Sequence, residues 1–526
     1  MLVLIYMVLT AVFEVILLMN SYLVRRWLTD ILTVLLAFGV GALMYVRLDV
    51  ITVNIGLLML YRIVNIERLT HRSLQDDYVS HLARRASLVL IISQLFLGSL
   101  LGAQEFFNIT TNNWLLGLSL LDLFAAGIFA HTVDRQVRVT SAPKVMASRD
   151  EHDLPTLTVA IPARNETSDL EACLQTLVNS RYLKLEILVL DDCSQNQRTP
   201  EIIRQFAHDG VRFIAGSAPP DNWLAKNHAY QQLIEEANGD LLLFCGVDSR
   251  FEPNSLTAIV ETLLDRHKTM LSIMPRNHIP SRFKLEALLV QPGRYAWELV
   301  LPRRWLDRPP VLSSCWLVQK QLLMDSGGLA AVSRAVQPER YFARYAALHQ
   351  DGYSFLQSGE QLGLSSAKSF DDQRATAVRT RYPSLHRRIE LTALVSLIEL
   401  VLLGVPYINL VYCLASRTWL LAIINTGCCA LLSYVYSQVV CVTYQRRLLR
   451  GLWLFPFAVA YDICLLNYSM WQYEFSEVIW KGRNICIPVM RVIPHLPTLH
   501  QINAIHPRGR HHRHRYHSQH NSRHSG

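Results

Sequence analysis

Residues 157–166 read LTVAIPARNE, an apolar run that is closed by a proline and then turns polar. The run 157–161 has the length and the β-branched content of a buried strand, and Pro162 ends it. A helical pattern follows over residues 168–179, with Ser or Thr available as its N-cap. Residues 186–190, Glu-Ile-Leu-Val-Leu, predict the next strand.

The alternation of strand and helix continues along the chain. Thr199-Pro200-Glu201 is a strong helix start, because proline is favoured at the first helical position. Residues 211–215 predict a strand, 225–237 a helix and 241–244 a fully apolar strand. Such repeats imply an α/β domain whose parallel sheet is buried on both faces.

Acid-bearing loops follow the first, second and fourth of these strands, at residues 162–166, 191–194 and 246–249. The carboxyl ends of parallel strands meet at one edge of a sheet, and ligands of open α/β sheets bind there. The sequence therefore predicts a polar ligand site at this edge.

Apolar runs flank the domain on both sides. The chain has 526 residues, of which 51% are hydrophobic and 18% charged, and its mean hydropathy is +0.19. This composition excludes a disordered chain and argues against a wholly soluble one. Runs long enough, or nearly so, to cross a membrane lie at residues 2–24, 29–47, 50–66, 87–104, 114–132, 390–415, 418–443 and 452–471.

Basic residues between the runs predict the orientation. Arg25-Arg26 and the loop that contains Arg68 and Arg84 fall on one side, so the positive-inside rule places the α/β domain in the cytoplasm. Three C-terminal spans would then send the basic tail outside, against the same rule. Either the last run, which contains Pro456 and Asp462, is re-entrant or interfacial, or the preceding run around residue 406 is not a simple crossing.

Isolated charges and cysteines give weaker signals. We expect Glu14, Asp122, Glu399 and Asp462, which lie inside apolar runs, to form structural hydrogen bonds. The ten cysteines include no C-x-x-C pair and no spacing with histidine that is typical of a zinc site. We therefore expect reduced, mostly buried thiols.

The net charge of +9 owes much to the C-terminal tail, where arginine alternates with histidine and no acid follows Glu477. A basic tail after membrane spans suits anionic lipid headgroups better than nucleic acid, and we expect no nucleic-acid partner. A solvated, disordered tail without a ligand is the alternative.

The segments VAIPARNE (159–166), ILVLDDCS (187–194), NWLAKNHA (222–229) and LLLFCGVDSRFEP (241–253) resemble, in order and spacing, membrane-bound family 2 glycosyltransferases. The nearest members are the hopanoid-associated and ceramide-glucosyltransferase-like ones. The resemblance covers about residues 155–385, and VIWKGR at 478–483 is similar to a short motif that follows the last membrane run in those relatives.

The resemblance implies an α/β GT-A domain, the nucleotide-diphospho-sugar transferase fold, inserted between two bundles of transmembrane helices. It implies the following organisation: an N-terminal membrane region of about five helices at 1–135, a linker at 136–154, the cytoplasmic GT-A domain at 155–388, a C-terminal membrane region of about three helices at 389–471, an interfacial segment with the WKGR motif at 472–505, and a disordered basic tail at 506–526.

In this family, Pro162, Arg164 and Glu166 would border the nucleobase and ribose, and Asp191 and Asp192 would hydrogen-bond them. A carboxylate at a strand end is a suitable acceptor for an imide N–H or a ribose hydroxyl. A turn with helix-capping acids is the alternative for the Asp191-Asp192 pair.

Lys226 matches a lysine that the family places near the donor phosphates, at a helix N-terminus that also favours an anion. A solvated surface lysine is the alternative. Gly246 stands at the first acid of the family's D-x-D motif and Asp248 at the second. A divalent cation, Mg²⁺ or Mn²⁺, is still expected at Asp248, because Mg²⁺ commonly takes only one or two protein carboxylates.

Glu339 falls on the position of the family's catalytic aspartate, after Gly327-Gly328, and would deprotonate the acceptor hydroxyl. An ordinary acid in the first turn of a helix is the alternative. The segment AVRTRYPSLHRR at 377–388 resembles a weakened Q-x-x-R-W motif, in which Arg381 would stabilise the leaving diphosphate and Tyr382 would line the acceptor site. A cytoplasmic belt of charge is the alternative there.

The resemblance implies an inverting hexosyltransferase in the cell membrane that moves a sugar from a UDP- or GDP-sugar to a membrane lipid on the cytoplasmic face. A catalytically inactive membrane scaffold is the second hypothesis, supported by Gly246 and Pro338. A processive polysaccharide synthase is the third, and the weak Q-x-x-R-W segment argues against it.

Overall fold

The computed structural model describes residues 2–19, 26–46, 50–72, 77–106, 111–141, 149–220, 222–277, 287–300, 309–349, 352–444 and 451–486. The predicted basic tail and most of the predicted interfacial segment lie outside these residues, so the tail's anionic-lipid partner stays a prediction.

Five helices precede the domain, as the sequence predicts. They are α1 (Leu2–Met19), α2 (Arg26–Val46), α3 (Val50–Arg72), α4 (Asp77–Phe106) and α5 (Thr111–Thr140). Helix α3 packs between α2 and α4 and contains buried polar side chains. Its Arg62 is fully buried and pairs with Glu14 of α1 at 2.7 Å, which confirms the structural partner expected for that acid.

The α/β domain is built on a seven-stranded sheet of order β3-β2-β1-β4-β8-β6-β9. Strands β1 to β4 are parallel, β8 runs antiparallel to its neighbours β4 and β6, and β9 is parallel to β6. The strands are β1 (Leu157–Ala163), β2 (Leu185–Asp191), β3 (Val211–Ala215), β4 (Leu241–Cys245), β5 (Ser249–Phe251), β6 (Met270–Met274), β7 (Arg276–Asn277), β8 (Cys315–Gln319), β9 (Tyr353–Gln357) and β10 (Leu364–Ser366). Strands β5, β10 and β7 form a small second sheet.

The helices of the domain cover both faces of the large sheet, which confirms the predicted doubly covered sheet. They are α6 (Ser168–Val178), α7 (Arg198–Gln205), α8 (Ala225–Glu236), α9 (Ser255–Asp265), α10 (Ala287–Val300), α11 (Lys320–Asp325), α12 (Glu339–Leu348) and α13 (Phe370–Ser384). The strands predicted from the local pattern agree with β2, β3 and β4 to within a residue at each end, whereas β1 runs two residues beyond its predicted end and contains Pro162, the residue predicted to close it.

The C-terminal helices are α14 (Ile389–Glu399), α15 (Val405–Ala415), α16 (Trp419–Tyr444) and α17 (Gly451–Phe475). A π-helical turn, Leu400–Gly404, joins α14 to α15, so that Ile389–Ala415 is one long apolar segment. Two short strands, β11 (Ile479–Trp480) and β12 (Arg483–Asn484), follow α17.

Within the described residues, five helical segments are long and apolar enough to cross a membrane. They are Trp27–Tyr45, Arg84–Gly102, Asn113–Thr140, Ile389–Ala415 and Trp419–Tyr444. Helices α1, α3 and α17, which correspond to three further predicted spans, are not among them; α1 contributes a shorter apolar helix, Ile5–Leu18.

Helix α17 lies against the α/β domain near both of its ends. Near its start, Phe455 packs in one cluster with Leu288 of α10, and near its end Tyr473 packs with Tyr382 of α13. Both ends of α17 are thus held against the domain. This arrangement favours the interfacial alternative for the last apolar run.

Candidate active site

The loops that follow β1 and β2 are tied together at the edge that the sequence predicts. Arg164 Nη1 donates to the backbone carbonyls of Asp192 and Cys193, each at 2.5 Å. Asn165 Oδ1 accepts from the backbone N–H of Gln195 at 2.8 Å. Both loops lie at the carboxyl ends of parallel strands, where an open α/β sheet binds its ligand.

Two of the predicted nucleotide-binding carboxylates are buried and paired. Asp192 is 4% exposed, and its two carboxylate oxygens accept from Arg483 at 2.7 and 2.6 Å. Glu166 is 8% exposed and lies 2.9 Å from Lys481 Nζ. Burial raises the pKa of both carboxyl groups, and their basic partners oppose the increase. The sequence reasoning missed these partners, which follow 291 and 315 residues later.

The other predicted nucleoside contacts have local structural roles. Pro162 is half-buried in β1, in register with Leu190. Arg164 is 6% exposed, and its hydrogen bonds go to backbone carbonyls. Asp191 Oδ1 accepts from the backbone N–H of Ser194 at 3.2 Å, which is the turn geometry of the alternative interpretation.

Asp248 folds its carboxylate back over Gly246. A Cβ at Gly246 would lie 2.4 Å from Asp248 Oδ1, so the glycine makes room for this conformation. Ser366 Oγ donates to Asp248 Oδ2 at 2.9 Å, whereas Oδ1 accepts no hydrogen bond from the described residues. The described residues contain no cluster of three or more metal-ligating side chains, so Asp248 would hold a cation as a lone protein carboxylate.

Glu339 begins helix α12, as predicted, and is fully buried. Its Oε2 lies 3.9 Å from Lys226 Nζ, and neither of its carboxylate oxygens accepts a hydrogen bond within the described part of the chain. Lys226 is the second residue of α8, and its ammonium also lies 5.1 Å from the centre of the Tyr230 ring. The structure thus brings together the predicted base and the predicted phosphate ligand.

Packing fixes both helices that carry this pair. Asn227 Nδ2 donates to the carbonyls of Val332, Ser333 and Ala335 at 2.8 to 3.0 Å, and so ties α8 to the loop before α12. One turn after Glu339, the ring of Phe342 stacks on Trp316 of β8. Such rigid support is what a positioned catalytic group requires.

Three basic side chains that the site predictions missed surround the same region. They are Arg294 of α10, Lys368 after β10 and Arg379 of α13. Burial lowers the pKa of Lys368 to about 8 and that of Arg379 to about 10, and the positive charge of Arg294 adds to both shifts. The negative charge of Asp248 opposes the decrease in pKa of both Lys368 and Arg379. Together with Lys226, these residues form what we call the cation cluster.

The cation cluster has few partners of its own. The side chains of Arg294 and Lys368 form no hydrogen bond or ion pair among the described residues, and burial lowers the pKa of both. Burial also lowers the pKa of Lys226, and Glu339 opposes that shift. The carboxylates near these four cations are those of Asp248, Glu298, Glu339 and Asp372. A diphosphate that bound among the four cations would accept charge-assisted hydrogen bonds from them.

Arg381 and Tyr382 have protein partners that the sequence did not predict, and their roles at the diphosphate and at the acceptor stay predictions. The Arg381 guanidinium pairs with Asp462 of α17 and lies 5.8 Å from the centre of the Trp297 ring. Tyr382 is fully buried, and its hydroxyl lies 2.9 Å from Glu474 Oε1, so it offers no surface to an acceptor. Arg379 and Arg381 lie two positions apart on α13, about 200° around the helix axis, so their guanidinium groups have different partners. Burial lowers the pKa of Arg294, and the positive charge of Arg381 adds to that decrease, so Arg381 also lies near the cation cluster.

Residues 158–322 match the family model described as Glycosyl transferase family 2. Among curated proteins, the chain is 29% identical over 174 residues to "Probable glycosyltransferase YdaM" of Bacillus subtilis (strain 168), which is 32% of this chain and 39% of that protein. It is 33% identical over 99 residues to "Glycosyltransferase AglE" of Haloferax volcanii, which is 18% of this chain and 31% of that protein. The chain thus spans about two fifths or less of the length of these relatives.

Among solved structures, the chain is similar to the mannosyltransferase PcManGT from Pyrobaculum calidifontis, solved with GDP-Man and Mn²⁺. The TM-score is 0.42 at 17% identity, covering 68% of this chain and 99% of that one. Glucosyl-3-phosphoglycerate synthase from Mycobacterium tuberculosis, solved with Mn²⁺ and UDP, gives a TM-score of 0.32 at 15% identity, covering 49% of this chain and 87% of that one.

The family match falls on β1 to β8, and both curated relatives are named as glycosyltransferases. The expected resemblance to family 2 is therefore confirmed at the level of the domain, whereas the hopanoid-associated and ceramide-glucosyltransferase-like subfamily stays a prediction. Residues 158–322 are thus similar to glycosyltransferase family 2, and long apolar helices lie before and after them.

Proposed function

We propose that this protein is an inverting glycosyltransferase that moves a sugar from a UDP- or GDP-sugar to a membrane lipid on the cytoplasmic face. One observation carries the proposal. A buried carboxylate, Glu339, whose oxygens accept no hydrogen bond from the described residues, lies beside the cation cluster at the edge of a family 2 domain. A base next to a diphosphate site is the arrangement that glycosyl transfer needs.

In the proposed reaction, Glu339 accepts the proton of the acceptor hydroxyl as the hydroxyl oxygen bonds to the anomeric carbon. The bond from that carbon to the diphosphate breaks, and its electron pair leaves with the diphosphate. The cation cluster stabilises the charge that develops there, because fixed cations in a site of low dielectric interact strongly with it. A single displacement inverts the configuration of the sugar.

Asp248 would hold Mg²⁺ or Mn²⁺ jointly with the diphosphate, and the bound ion would neutralise part of the charge on the leaving group. Its Oδ1 is available for this role, since only Oδ2 accepts a hydrogen bond within the described chain. The residues therefore fit a cation held through one protein carboxylate, with the cation cluster carrying the rest of the charge balance.

Nucleotide binding should be strengthened by a metal ion without depending on it. We expect the purified protein in detergent to bind UDP or GDP, and EDTA to weaken the affinity by about tenfold, or about 1.4 kcal/mol. The affinity for the nucleotide should fall only in part, because one carboxylate holds the metal whereas four basic side chains also contact the diphosphate. Calorimetry with each nucleotide, with Mn²⁺ or with EDTA, measures both effects.

Two variants serve as controls for this experiment. Asp248→Asn should bind nucleotide with an affinity that no longer responds to EDTA. Asp265→Asn, which changes an exposed acid paired with Arg149, should behave as the wild type does. Absence of binding to either nucleotide, even with Mn²⁺, would favour the inactive scaffold.

A cavity of about 290 Å³ between α13 and α17 supports a lipid acceptor. Arg374, Arg379, Tyr468 and Gln472 contribute polar side chains to its lining. Arg379 also belongs to the cation cluster, so the cavity adjoins the proposed reaction centre. Trp471, half exposed on α17, adds an aromatic residue of the kind that is enriched at membrane interfaces.

The cytoplasmic orientation is supported by one ion pair. Arg68 Nε, near the C-terminal end of α3, lies 2.9 Å from Glu474 Oε2 at the end of α17, and Glu474 in turn contacts Tyr382 of the domain. This basic end of α3 and the domain therefore share one side, which the positive-inside rule assigns to the cytoplasm.

The lipid product should be visible in cells. We expect lipid extracts of cells that express the protein to contain a species heavier by one sugar residue, which mass spectrometry detects directly. Cells that express Glu339→Gln at the same level should lack it. A sugar-modified lipid present in both, or a sugar polymer in place of a single addition, would contradict the proposed acceptor chemistry.

A further inference from the structure

Strands β11 and β12 form a hairpin that we call the C-terminal hairpin, residues 479–484. Trp480 pairs with Arg483, and the turn between them is Lys481-Gly482, with φ values of 49° and 77°. Two successive residues in the left-handed region are typical of a tight hairpin turn, and glycine adopts this region without steric cost. The turn projects Lys481 and Arg483 away from the end of α17.

The C-terminal hairpin binds both loops that were predicted to hold the nucleoside. Arg483 Nη1 donates to both oxygens of Asp192, and Arg483 Nη2 lies 3.4 Å from the Asp192 carbonyl. Lys481 Nζ donates to Glu166 at 2.9 Å. In the opposite direction, Arg164 Nε donates to the Lys481 carbonyl at 2.9 Å. The contact thus combines two ion pairs between side chains with hydrogen bonds from arginine side chains to the backbone.

Burial makes this contact more than a pair of surface salt bridges. The side chains of Asp192 and Arg483 are 5% and 21% exposed, and those of Glu166 and Lys481 are 11% and 34% exposed. A carboxylate that is this buried and accepts from one guanidinium through both oxygens has its orientation fixed. Breaking such a pair would leave Asp192 buried without its cation.

The same hairpin also contacts the cation cluster. The Arg379 guanidinium lies 5.3 Å from the centre of the Trp480 ring, within the range of a cation–π interaction. The backbone N–H of Ile485 donates to the Val478 carbonyl at 2.9 Å and closes the base of the hairpin. The C-terminal hairpin therefore contacts the nucleoside loops and a phosphate-facing arginine at the same time.

We propose that the C-terminal hairpin is part of the donor site, in which Arg483 and Lys481 are positioning residues that hold Asp192 and Glu166. Trp480 holds Arg379 in the same way. This inference rests on the proposed function, since it concerns the binding of a nucleotide-sugar. It gives the residues after the last long helix a direct effect on donor affinity, although they lie outside the region matched by the family model.

Arg483→Ala tests the proposal. We expect the affinity for UDP or GDP, whichever the wild type binds, to fall by at least tenfold in calorimetry. With membranes as the source of acceptor, KM for the donor should rise by a similar factor while kcat stays within about twofold. Arg483→Lys keeps the charge but loses the planar group whose second nitrogen reaches the Asp192 carbonyl, so its affinity should lie between those of the wild type and Arg483→Ala.

The matched control is Arg198→Ala, which removes a half-exposed arginine from the start of α7, close to the same loop. It should bind nucleotide as the wild type does. Lys481→Ala, at the more exposed of the two pairs, is the second variant in case Arg483→Ala does not fold. It should weaken binding in the same direction at an unchanged melting temperature.

The outcomes separate this proposal from the proposed function. A wild-type protein that binds no nucleotide would overturn the proposed function. A wild type that binds, with Arg483→Ala and Lys481→Ala binding equally well, would overturn only the role of the hairpin. Tighter binding by these variants would also overturn it, since Arg483 and Lys481 would then compete with the nucleotide.

Discussion

Replacing Glu339 by glutamine is expected to lower kcat by about 100-fold or more, while nucleotide affinity is kept. Glutamine retains the shape of the side chain but has no carboxylate to accept a proton from the acceptor hydroxyl. Nucleotide affinity should persist because the cation cluster is intact; Lys226 loses only a partner that lies 3.9 Å away. Transfer rates at saturating donor, together with calorimetry, measure the two quantities separately.

Glu339→Asp is a second informative variant at this position. It places the family's own residue at this position, one methylene shorter, and should retain measurable transfer. Glu360→Gln, at an exposed acid farther along the chain, is the matched control and should turn over normally. If Glu339→Gln instead turned over at the wild-type rate, the alignment through Pro338 would be wrong. Glu360 and Asp351 would then be the next candidates, the latter outside the described residues.

Arg381→Ala is expected to lower the stability of the protein by about 3–5 kcal/mol, which is the usual cost of removing one partner of a buried ion pair. The side chains of Arg381 and Asp462 are 12% and 9% exposed. Without the arginine, Asp462 would keep its hydrogen bond from Trp297 Nε1, at 2.7 Å, and its contact with Glu399, but it would be buried without a cation. Thermal unfolding in detergent measures the loss.

The double variant Arg381→Met with Asp462→Asn removes both charges and leaves an acceptor for Trp297, so it should recover most of the lost stability. Arg379→Ala provides the contrast: it should weaken nucleotide binding with little change in melting temperature. A stable Arg381→Ala variant that fails to bind nucleotide would contradict this assignment and return Arg381 to the diphosphate role that the motif implies.

The contrast between Arg379 and Arg381 shows where sequence reasoning reaches its limit. The strands β1 to β4 and the loops after them were predictable, because buried strands and the turns that end them are encoded locally. The resemblance to the Q-x-x-R-W motif identified the segment of α13 that contains Arg379 and Arg381. It did not determine the rotation of the helix about its axis, which depends on packing against α17 and decides which arginine faces the site.

The same limit explains why the sequence did not predict the partners of Asp192 and Glu166. Their acidic character and position at strand ends were visible in the sequence, but ion pairs with Arg483 and Lys481 depend on how α17 is placed beneath the domain. That placement in turn depends on side chains such as Ser469 and Tyr473 of α17, which hydrogen-bond α13. From its apolar composition alone, α17 resembles a further membrane span, and its packing against α13 is not visible in the sequence.

The ion pair between Asp192 and Arg483 also sets an order of events during synthesis. The two residues are 291 positions apart, so at 5–20 residues per second the ribosome adds the arginine roughly 15 to 60 seconds after the aspartate. During that interval the last helices have yet to be made and inserted, and the donor site lacks its final component. We therefore expect the nascent domain to bind nucleotide-sugar weakly until Arg483 has been added and has reached Asp192, which would limit the consumption of nucleotide-sugar by incompletely inserted molecules.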